Sequence, residues 1–380
     1  MNLLTPDQQA ACDAVSEALW VPGAERVDPP IALPADIAID LAGESVRSRL
    51  CTFTGADGRE MALRPDLTLP IALARAEMTT AAPASLAYCG RAFRLPPVPG
   101  APLEFVQLGV ERFGHAPSPV EDAFVLADMV EALEAAGLKD MTVFTGDVAL
   151  FSECVAGMDL PAPWKDKLQR RFRDASRLSH LLESSHASGA APSGLGGLLE
   201  ARSEALTPAA LEEALALSDT PTMGAREADE IVEGLRRRAA QRALGPLPEA
   251  ASATLQALLA VKGDPADAIS QLVRIDGLTS PEARAAIDRL DKRFDELARR
   301  LGSRMQSVHF ATPFGRRFNY YSGFVFEIIA PPLSAAEPVA SGGRYDNLVG
   351  ILRRHLARGE AALGAQVRPD RLARALEATA

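Results

Sequence analysis

The sequence reads SLAYCGRAFR at residues 85–94 and EFVQLGVERF at residues 104–113, and each stretch predicts a β-strand. Side chains alternate between the two faces of a strand, so Gln107 and Glu111 lie on the same face of the second strand. On the first strand, small residues on one face lead to Arg94. If the two faces coincide, the pair forms a shallow floor that carries an amide, a carboxylate and a guanidinium.

Gly109 lies between the amide and the carboxylate on this face, and its missing side chain predicts an open space there. A small zwitterion such as an amino acid suits this arrangement, because its carboxylate and ammonium need partners of opposite charge away from water. The same pattern is typical of a half-solvated hairpin whose polar face contacts water. The strands alone leave both interpretations open.

A third segment, LRPDLT at residues 63–68, places Asp66 and Thr68 directly before a predicted helix over residues 69–76. Both side chains could project into a pocket beside the strands. An N-capping turn accounts for the same residue types, since Asp and Thr side chains accept hydrogen bonds from the first N–H groups of a helix. This segment supports a binding site only in combination with the strands.

Two later segments combine aromatic residues with glycine. RRFNYYSG at residues 316–323 leads into a predicted strand from Tyr320 to Ile329, on which Tyr321 and Glu327 share a face. ASGGRYD at residues 340–346 contains two glycines that can adopt a positive φ and bring the backbone close to a ligand or a neighbouring strand. The GxxxxGK[ST] pattern of a phosphate-binding loop is missing there.

Composition restricts the class of protein. The chain has 380 residues, enough for two or three domains, and its 50 acidic and 40 basic residues give a net charge of −10. This balance disfavours nucleic acid as the main partner. No apolar run is long enough for a membrane span and the N-terminus lacks a signal-peptide pattern, so we expect a cytoplasmic protein. The four cysteines lie far apart, which fits reduced thiols and predicts no metal site.

Three zones follow one another along the chain. Residues 1–162 mix strands and helices, residues 163–300 predict helices without a strand, and strands return over residues 301–380. One helix has clear ends, with Ser118 as N-cap before a proline and Gly137 after the last turn. The simplest organisation is an α+β core that is interrupted by a helical insertion.

The chain resembles the catalytic core of histidyl-tRNA synthetases, a class II family, in five ordered motifs: LRPDLTLPIAL, YCGRAFR, EFVQLGVERFG, RRFNYYSGFVFE and ASGGRYDNLV. The resemblance covers roughly residues 1–160 and 300–350. It implies a six-stranded antiparallel sheet with flanking helices, a dimer interface near Pro29 and Pro30, and a pocket for histidine. The residues that match pocket residues of the family are Asp66, Thr68, Arg94, Gln107, Glu111, Arg316, Tyr320, Tyr321 and Tyr345.

Several departures separate the chain from the synthetases. Activation of an amino acid by ATP needs cations on the triphosphate, because charge develops as pyrophosphate leaves. The loop at residues 95–103, where the family carries charged ATP-binding residues, has no charge here, and the final motif at residues 364–371 is degraded. We therefore expect a cavity that keeps partners for an amino acid but lacks those for phosphates. We also expect no C-terminal anticodon-binding domain, since the sequence ends at Ala380.

With these departures the chain is similar to the regulatory subunits of ATP phosphoribosyltransferase, a family of synthetase paralogues. The similarity implies a non-catalytic subunit without a cofactor, which joins a short-form catalytic subunit at the first step of histidine biosynthesis and transmits feedback by L-histidine. The implied contacts are Arg94 to the carboxylate of histidine, Asp66, Thr68, Gln107 or Glu111 to its ammonium, and Glu111 or Tyr321 to its imidazole.

Two alternatives remain open on the sequence. The retained Arg316 is compatible with a truncated but active histidyl-tRNA synthetase-like enzyme, because a catalytic arginine is not needed merely to hold an amino acid. The other alternative is a structural scaffold with a vestigial pocket. The resemblance also leaves room for a histidine site at the interface between the two subunit types.

Overall fold

We describe the protein from a computed structural model. The structure describes residues 4–20, 24–41, 44–78, 82–96, 100, 102–183, 207–217, 228–242, 244–315, 320–331, 333–353 and 359–378. Arg316 and four residues of the uncharged loop, 97–99 and 101, lie outside the described residues. No helix within the described ranges combines the length and the apolar character that a membrane span requires.

Twelve strands are found in the described part of the chain, nine of them in one sheet. The strands are β1 (Glu25–Arg26), β2 (Ala32–Pro34), β3 (Thr52–Thr54), β4 (Glu60–Leu63), β5 (Ala84–Phe93), β6 (Glu104–Phe113), β7 (Thr142–Asp147), β8 (Lys262–Gly263), β9 (Val308–Ala311), β10 (Phe324–Ile329), β11 (Ala340–Arg344) and β12 (Ala362–Val367). The large sheet has the order β1-β5-β6-β12-β11-β10-β7-β9-β8, and β2-β4-β3 form a small antiparallel sheet.

The six neighbouring strands from β5 to β7 in this order pair antiparallel, as the sequence predicts. The full sheet is nevertheless mixed, because β1 runs parallel to β5 and β9 runs parallel to β7. The prediction that the segment 163–300 contains no strand is wrong, since β8 lies inside it and pairs with β9. A two-residue strand is too short to leave a periodic pattern in the sequence.

Helices cover both faces of the sheet. They are α1 (Pro6–Leu19), α2 (Ala35–Leu41), α3 (Glu44–Arg47), α4 (Thr68–Glu77), α5 (Pro119–Ala135), α6 (Val148–Gly157), α7 (Ala162–Phe172), α8 (Ala175–Glu183), α9 (Pro208–Leu217), α10 (Ala228–Arg242), α11 (Glu249–Ala260), α12 (Pro265–Val273), α13 (Pro281–Leu301), α14 (Leu348–Leu352) and α15 (Pro369–Glu377). The predicted ends of α5 are confirmed: the Ser118 side chain accepts a hydrogen bond from the Glu121 N–H at 3.2 Å, and Gly137 follows with φ of 101°.

Alternation along the central strands separates two apolar cores. Ala87, Leu108 and Val110 face a large core with α1, α5, α6 and α13. Tyr88 and Phe113 face a smaller core on the opposite side, which includes residues of α2, α4 and α14. Burial of these apolar side chains supplies the main favourable term for both layers. The smaller core surrounds the site described below.

A buried ion network joins the large helical layer to the sheet. Arg293 of α13 contacts Asp122 of α5 and Asp147 at the end of β7, each at 2.8 Å. Arg344 of β11 contacts the other oxygen of Asp122 at 2.7 Å and Asp346 at 2.9 Å. Two guanidinium groups therefore share three carboxylates, so each charge that leaves water has a partner of opposite sign.

Candidate functional site

A cavity of about 340 Å³ lies on the side of the smaller core, above β6, β11 and β12. Its volume falls in the range of small-molecule sites. Eight of the nine predicted site residues line it: Asp66, Thr68, Arg94, Gln107, Glu111, Tyr320, Tyr321 and Tyr345. The ninth, Arg316, lies outside the described residues. The structure thus brings together residues that lie up to 279 positions apart in the sequence.

Glu111 forms the acidic end of the cavity and is only 1% exposed. Its carboxylate accepts hydrogen bonds from the hydroxyl groups of Thr68 at 2.7 Å, Tyr88 at 3.3 Å and Tyr345. Removal from water raises the pKa of Glu111 to about 7, although the Tyr345 and Thr68 hydroxyls counteract this rise. The group therefore titrates closer to neutral pH than an ordinary glutamate does.

Asp66 lines the cavity and also contacts the first turn of α4. Its Oδ1 accepts a hydrogen bond from the Leu69 N–H at 2.9 Å and so satisfies a free N–H group at the start of α4, whose N-cap residue is Leu67. Its Oδ2 is buried and has no hydrogen-bond partner among the described residues. Burial raises the pKa of Asp66, and the positive charge of Arg94 counteracts this rise. A buried acceptor without a donor is costly, so a ligand N–H group placed there would be stabilised.

Arg94 and Gln107 are fixed by the segment that carries Asp66. Arg94 Nε donates to the Pro65 carbonyl oxygen at 2.7 Å, and the Leu67 N–H donates to Gln107 Oε1 at 3.0 Å. The carbonyl oxygen of the amide is thus occupied, and its NH₂ group is the part that can serve a ligand. Removal from water lowers the pKa of Arg94, and the Asp66 carboxylate counteracts this. The cation and the acid stabilise each other beside the cavity.

The two adjacent tyrosines precede β10 rather than forming its first residues, so the predicted strand start at Tyr320 is wrong. Pairing with β7 begins only at Phe324. The rings of Tyr320 and Tyr321 lie 4.9 Å apart with a 57° tilt, and the Tyr345 ring meets Tyr320 edge-on. Burial raises the pKa of each of these phenols, so all three are neutral hydroxyls.

The predicted open space at Gly109 is wrong, because the Tyr88 ring and the Ala365 carbonyl group fill it. Tyr88 lies directly opposite Gly109 in the strand pairing. The clearance for Glu111 comes instead from Gly364 on β12, whose missing side chain makes room for the carboxylate. The glycine that leaves space for Glu111 belongs to the strand that pairs with β6. The sequence of β6 alone does not show which strand that is.

The glycines of the ASGGRYD segment are needed for close approach but not for a positive φ. Gly342 lies against the Gly364 carbonyl group and the Phe326 ring, and Gly343 lies against the Tyr321 ring. Both glycines have ordinary extended backbone angles within β11, so the predicted positive φ is wrong. A side chain at either position would collide with a neighbouring strand or ring.

Three further arginines line the cavity, and the sequence did not indicate any of them as a site residue: Arg49, Arg368 and Arg371. Arg368 packs on the Phe105 ring at 3.9 Å, and Arg371 Nη1 donates to the Pro338 carbonyl oxygen at 2.8 Å. Burial lowers the pKa of Arg371 to about 10. Arg368 also pairs with Asp370 at 2.9 Å, and Arg49 Nε donates to the Leu95 carbonyl oxygen, so the expectation that the cavity lacks partners for phosphates stays a prediction. These cations arrive from the segment before β3 and from the region where β12 meets α15.

Glu327, Gln366 and Ser341 complete the polar wall. Glu327 faces the same side of the sheet as Tyr321. The alternation of side chains along the predicted strand indicates this placement. Gln366 Nε2 donates to Ser341 Oγ at 2.7 Å, and its Oε1 is a buried acceptor that no described residue satisfies. Within the described residues no cluster of three or more metal-ligating side chains occurs. The cavity is equipped for a polar organic ligand that carries both charges.

The sequence of this chain is similar to those of known proteins. The family model of histidyl-tRNA synthetase matches residues 7–243 and 217–372. A protein of Allorhizobium ampelinum named ATP phosphoribosyltransferase regulatory subunit is 31% identical over 335 residues, which are 87% of this chain and 88% of that protein. The chain belongs to this regulatory-subunit family. A second member, from Chelativorans sp., is 33% identical over 85% of this chain and 86% of its own length.

Solved structures place the regulatory-subunit family in the class II synthetase fold. A structure from Bacillus halodurans titled ATP phosphoribosyltransferase regulatory subunit/histidyl-tRNA synthetase superposes with a TM-score of 0.68 at 23% identity, covering 99% of this chain and 81% of that one. A histidine–tRNA ligase subunit from Alicyclobacillus acidocaldarius superposes with a TM-score of 0.58 over the full length of this chain. These likenesses confirm the α+β, synthetase-like fold that the motif order predicts.

Proposed function

We propose that this chain is the regulatory, non-catalytic subunit of a hetero-oligomeric ATP phosphoribosyltransferase and that its cavity binds L-histidine as a feedback effector. The family names support the first part, because the relatives are regulatory subunits of that enzyme. The observation that carries the second part is that one cavity contains both the Arg94 guanidinium and an acidic oxygen, Asp66 Oδ2, that is buried without a hydrogen-bond partner in the described part of the chain. A free amino acid supplies the two complementary charges.

The ligand's three polar groups would have separate partners. Arg94 would hold the carboxylate, and Asp66 with Thr68 and the Gln107 amide would hold the ammonium. Glu111 or Tyr321 would face the imidazole. Tyr320, Tyr345 and Arg316 complete the proposed set through their matches to the synthetase motifs. Charge-assisted hydrogen bonds of this kind are about twice as strong as neutral ones, which favours a zwitterion over a neutral ligand.

Feedback requires that histidine distinguishes two states of the assembly, since a ligand with equal affinity for both shifts nothing. We propose that the partner is a short-form catalytic subunit and that the chain also pairs with a second copy of itself. Ile31, which follows Pro29 and Pro30 and directly precedes β2, is 53% exposed, and Phe53 on β3 of the same small sheet is 43% exposed. This apolar surface supports the expected dimer interface there.

The proposed organisation follows from the same chain. Residues 1–162 and 301–380 would form the synthetase-like core, and residues 163–300 the inserted helical module, of which β8 and α13 pack into the sheet and the large apolar core. A cytoplasmic location agrees with four cysteines that are all free thiols. The acidic net charge supports a protein partner rather than nucleic acid. No cofactor is proposed.

The test combines assembly, binding and inhibition. The full chain would be co-expressed with a short-form phosphoribosyltransferase, and the purified complex assayed with and without histidine. Calorimetry on the isolated chain should show histidine binding, and Arg94→Met should abolish it. Arg91→Met is the matched control, because Arg91 lies on β5 three residues before Arg94 but is exposed, and its pair with Glu104 at 3.5 Å contributes little.

Three results would contradict the proposal in different ways. Inhibition of the complex by histidine without binding to the isolated chain would move the effector site to the subunit interface. Normal inhibition of a complex that carries Arg94→Met would make the cavity vestigial. Histidine-dependent ATP–pyrophosphate exchange by the purified chain would show synthetase chemistry, for which Arg49, Arg368 and Arg371 would then be candidates.

A further inference from the structure

The root of the helical module is docked firmly on the core. Phe172, the last residue of α7, stacks on Phe151 of α6 with ring centroids 4.1 Å apart and an 11° angle between planes. Both rings are fully buried. One turn earlier, Gln169 Nε2 donates to the Ser152 carbonyl oxygen at 3.2 Å. Any displacement of the module at this point is therefore transmitted to the core, because close-packed aromatic contacts do not deform gradually.

The residue after this root reaches the cavity wall. Arg173 Nη2 donates to the Tyr321 carbonyl oxygen at 2.6 Å, and the Tyr321 ring lines the cavity. Ser322 and Gly323, which follow Tyr321 in the chain, are bound to the core. The Ser322 N–H donates to the Arg344 carbonyl oxygen at 2.8 Å, and the Val148 N–H donates to the Gly323 carbonyl oxygen at 3.0 Å. The module thus contributes a direct bond to a segment that otherwise belongs to the sheet.

We infer that Arg173 is a positioning residue that couples occupancy of the cavity to the helical module, and this rests on the proposed histidine site. A ligand that contacts the Tyr321 ring fixes the backbone of that residue and with it the acceptor of the Arg173 bond. Coupling between two sites is reciprocal, so a module held in place through Arg173 raises the affinity of the cavity for its ligand. Burial lowers the pKa of Arg173, which shows that its guanidinium is largely removed from water at this contact.

The chain contains a natural reporter for this coupling. It has two tryptophans, and one of them, Trp164, lies buried on α7 nine residues before Arg173. A Trp20→Phe background leaves Trp164 as the sole indole. Titration of L-histidine into the full chain in this background should change the Trp164 emission with the same dissociation constant as calorimetry gives. Hydrogen exchange over residues 162–183 should slow on saturation with histidine.

Three substitutions in this background test the role of Arg173. Arg173→Met should remove the Trp164 response and weaken histidine binding about 5- to 10-fold, the loss expected for one hydrogen bond from a charged donor. Arg173→Lys should restore part of both. Arg177→Met is the control, because Arg177 is exposed and its ion pair within the described ranges is with Asp174 one turn away, and it should leave both unchanged.

The outcomes separate this inference from the proposed function. Histidine binding without a change in Trp164 emission or in exchange over residues 162–183 overturns the coupling and leaves the proposed function intact. An Arg173→Met variant with wild-type affinity and response also overturns it. Absence of histidine binding by the wild-type chain overturns the proposed site and the coupling together. The exchange measurement on the wild type keeps the test valid even if Arg173→Met fails to fold.

Discussion

Gly364 of β12 and Glu111 of β6 are paired directly across the sheet, and a β-carbon at position 364 would overlap the Glu111 carboxylate. The backbone of Gly364 is in an ordinary strand conformation, so glycine is not needed there for its φ. It is needed for space. The acidic end of the cavity therefore depends on a residue of another strand, 253 positions later in the sequence.

Gly364→Ala should consequently disturb the cavity and the fold together. The added methyl must displace a carboxylate that three hydroxyl groups hold, and overpacking of this kind costs about 1–3 kcal/mol. Histidine affinity should fall at least tenfold. Gly234→Ala is the control, because nothing lies within 4 Å of its added methyl and alanine favours the interior of α10. Urea unfolding and calorimetry on both variants decide: equal behaviour of the two would contradict the steric role of Gly364.

Asp66→Asn tests the unsatisfied oxygen. Asparagine also caps helices, so the start of α4 should persist and the unfolding free energy should change little. The negative charge for the ammonium is lost, so histidine should bind more than tenfold more weakly. Imidazolepropionate, which lacks the ammonium, should bind wild type and variant alike. A variant that weakens both ligands equally would show that Asp66 shapes the cavity without contacting the ammonium.

The sequence predicted the parts of the site that lie within continuous segments. Alternation on β6 placed Gln107 and Glu111 together, and the position before the predicted helix over residues 69–76 identified Asp66 and Thr68. The space that Gly364 leaves for the Glu111 carboxylate was not predicted, because it depends on the pairing of β12 with β6. The local pattern of a strand determines the face of the sheet on which each side chain lies. The order of the strands in the sheet determines which residue of the neighbouring strand lies opposite it.

The cations of the cavity illustrate the same limit. Arg94 follows a predicted strand and was found, while Arg368 lies in a motif that the sequence showed as degraded. Its guanidinium nevertheless packs on Phe105 of β6 and enters the cavity from there. A family pattern records which residue types are expected at aligned positions. It does not show which other side chains reach the same space from a different position.

Glu111 should make stability depend on pH. Folding raises its pKa from the usual value of 4.5 to about 7, chiefly by removal from water. A group whose pKa is raised on folding contributes stability that is fully present below the unfolded value, and this contribution is lost as pH rises through the folded value. The wild type should therefore lose on the order of 3 kcal/mol between about pH 4.5 and pH 8, since one pKa unit corresponds to about 1.4 kcal/mol.

Glu111→Gln removes this titration and should lack this part of the pH dependence. Urea unfolding of both proteins at several pH values gives the difference directly. Asp128, whose pKa burial raises to about 6, is present in both proteins and cancels from the difference. Parallel stability curves for wild type and variant would mean that Glu111 is as well solvated as an ordinary carboxylate.

Arg293→Met should test the buried network that connects the helical layer to the sheet. Methionine retains much of the apolar volume, but Asp122 and Asp147 then stay buried with fewer partners for their negative charge. Removing one partner from a buried ion pair costs about 3–5 kcal/mol, mostly because the remaining charge is uncompensated. Lys292→Met changes the adjacent, exposed residue of the same helix, whose pair with Asp288 contributes little. A large drop in unfolding free energy for Arg293→Met with none for Lys292→Met is expected. If the two variants unfold at the same urea concentration, the network does not hold α13 to the core, and apolar packing on α5 and α6 alone must do so.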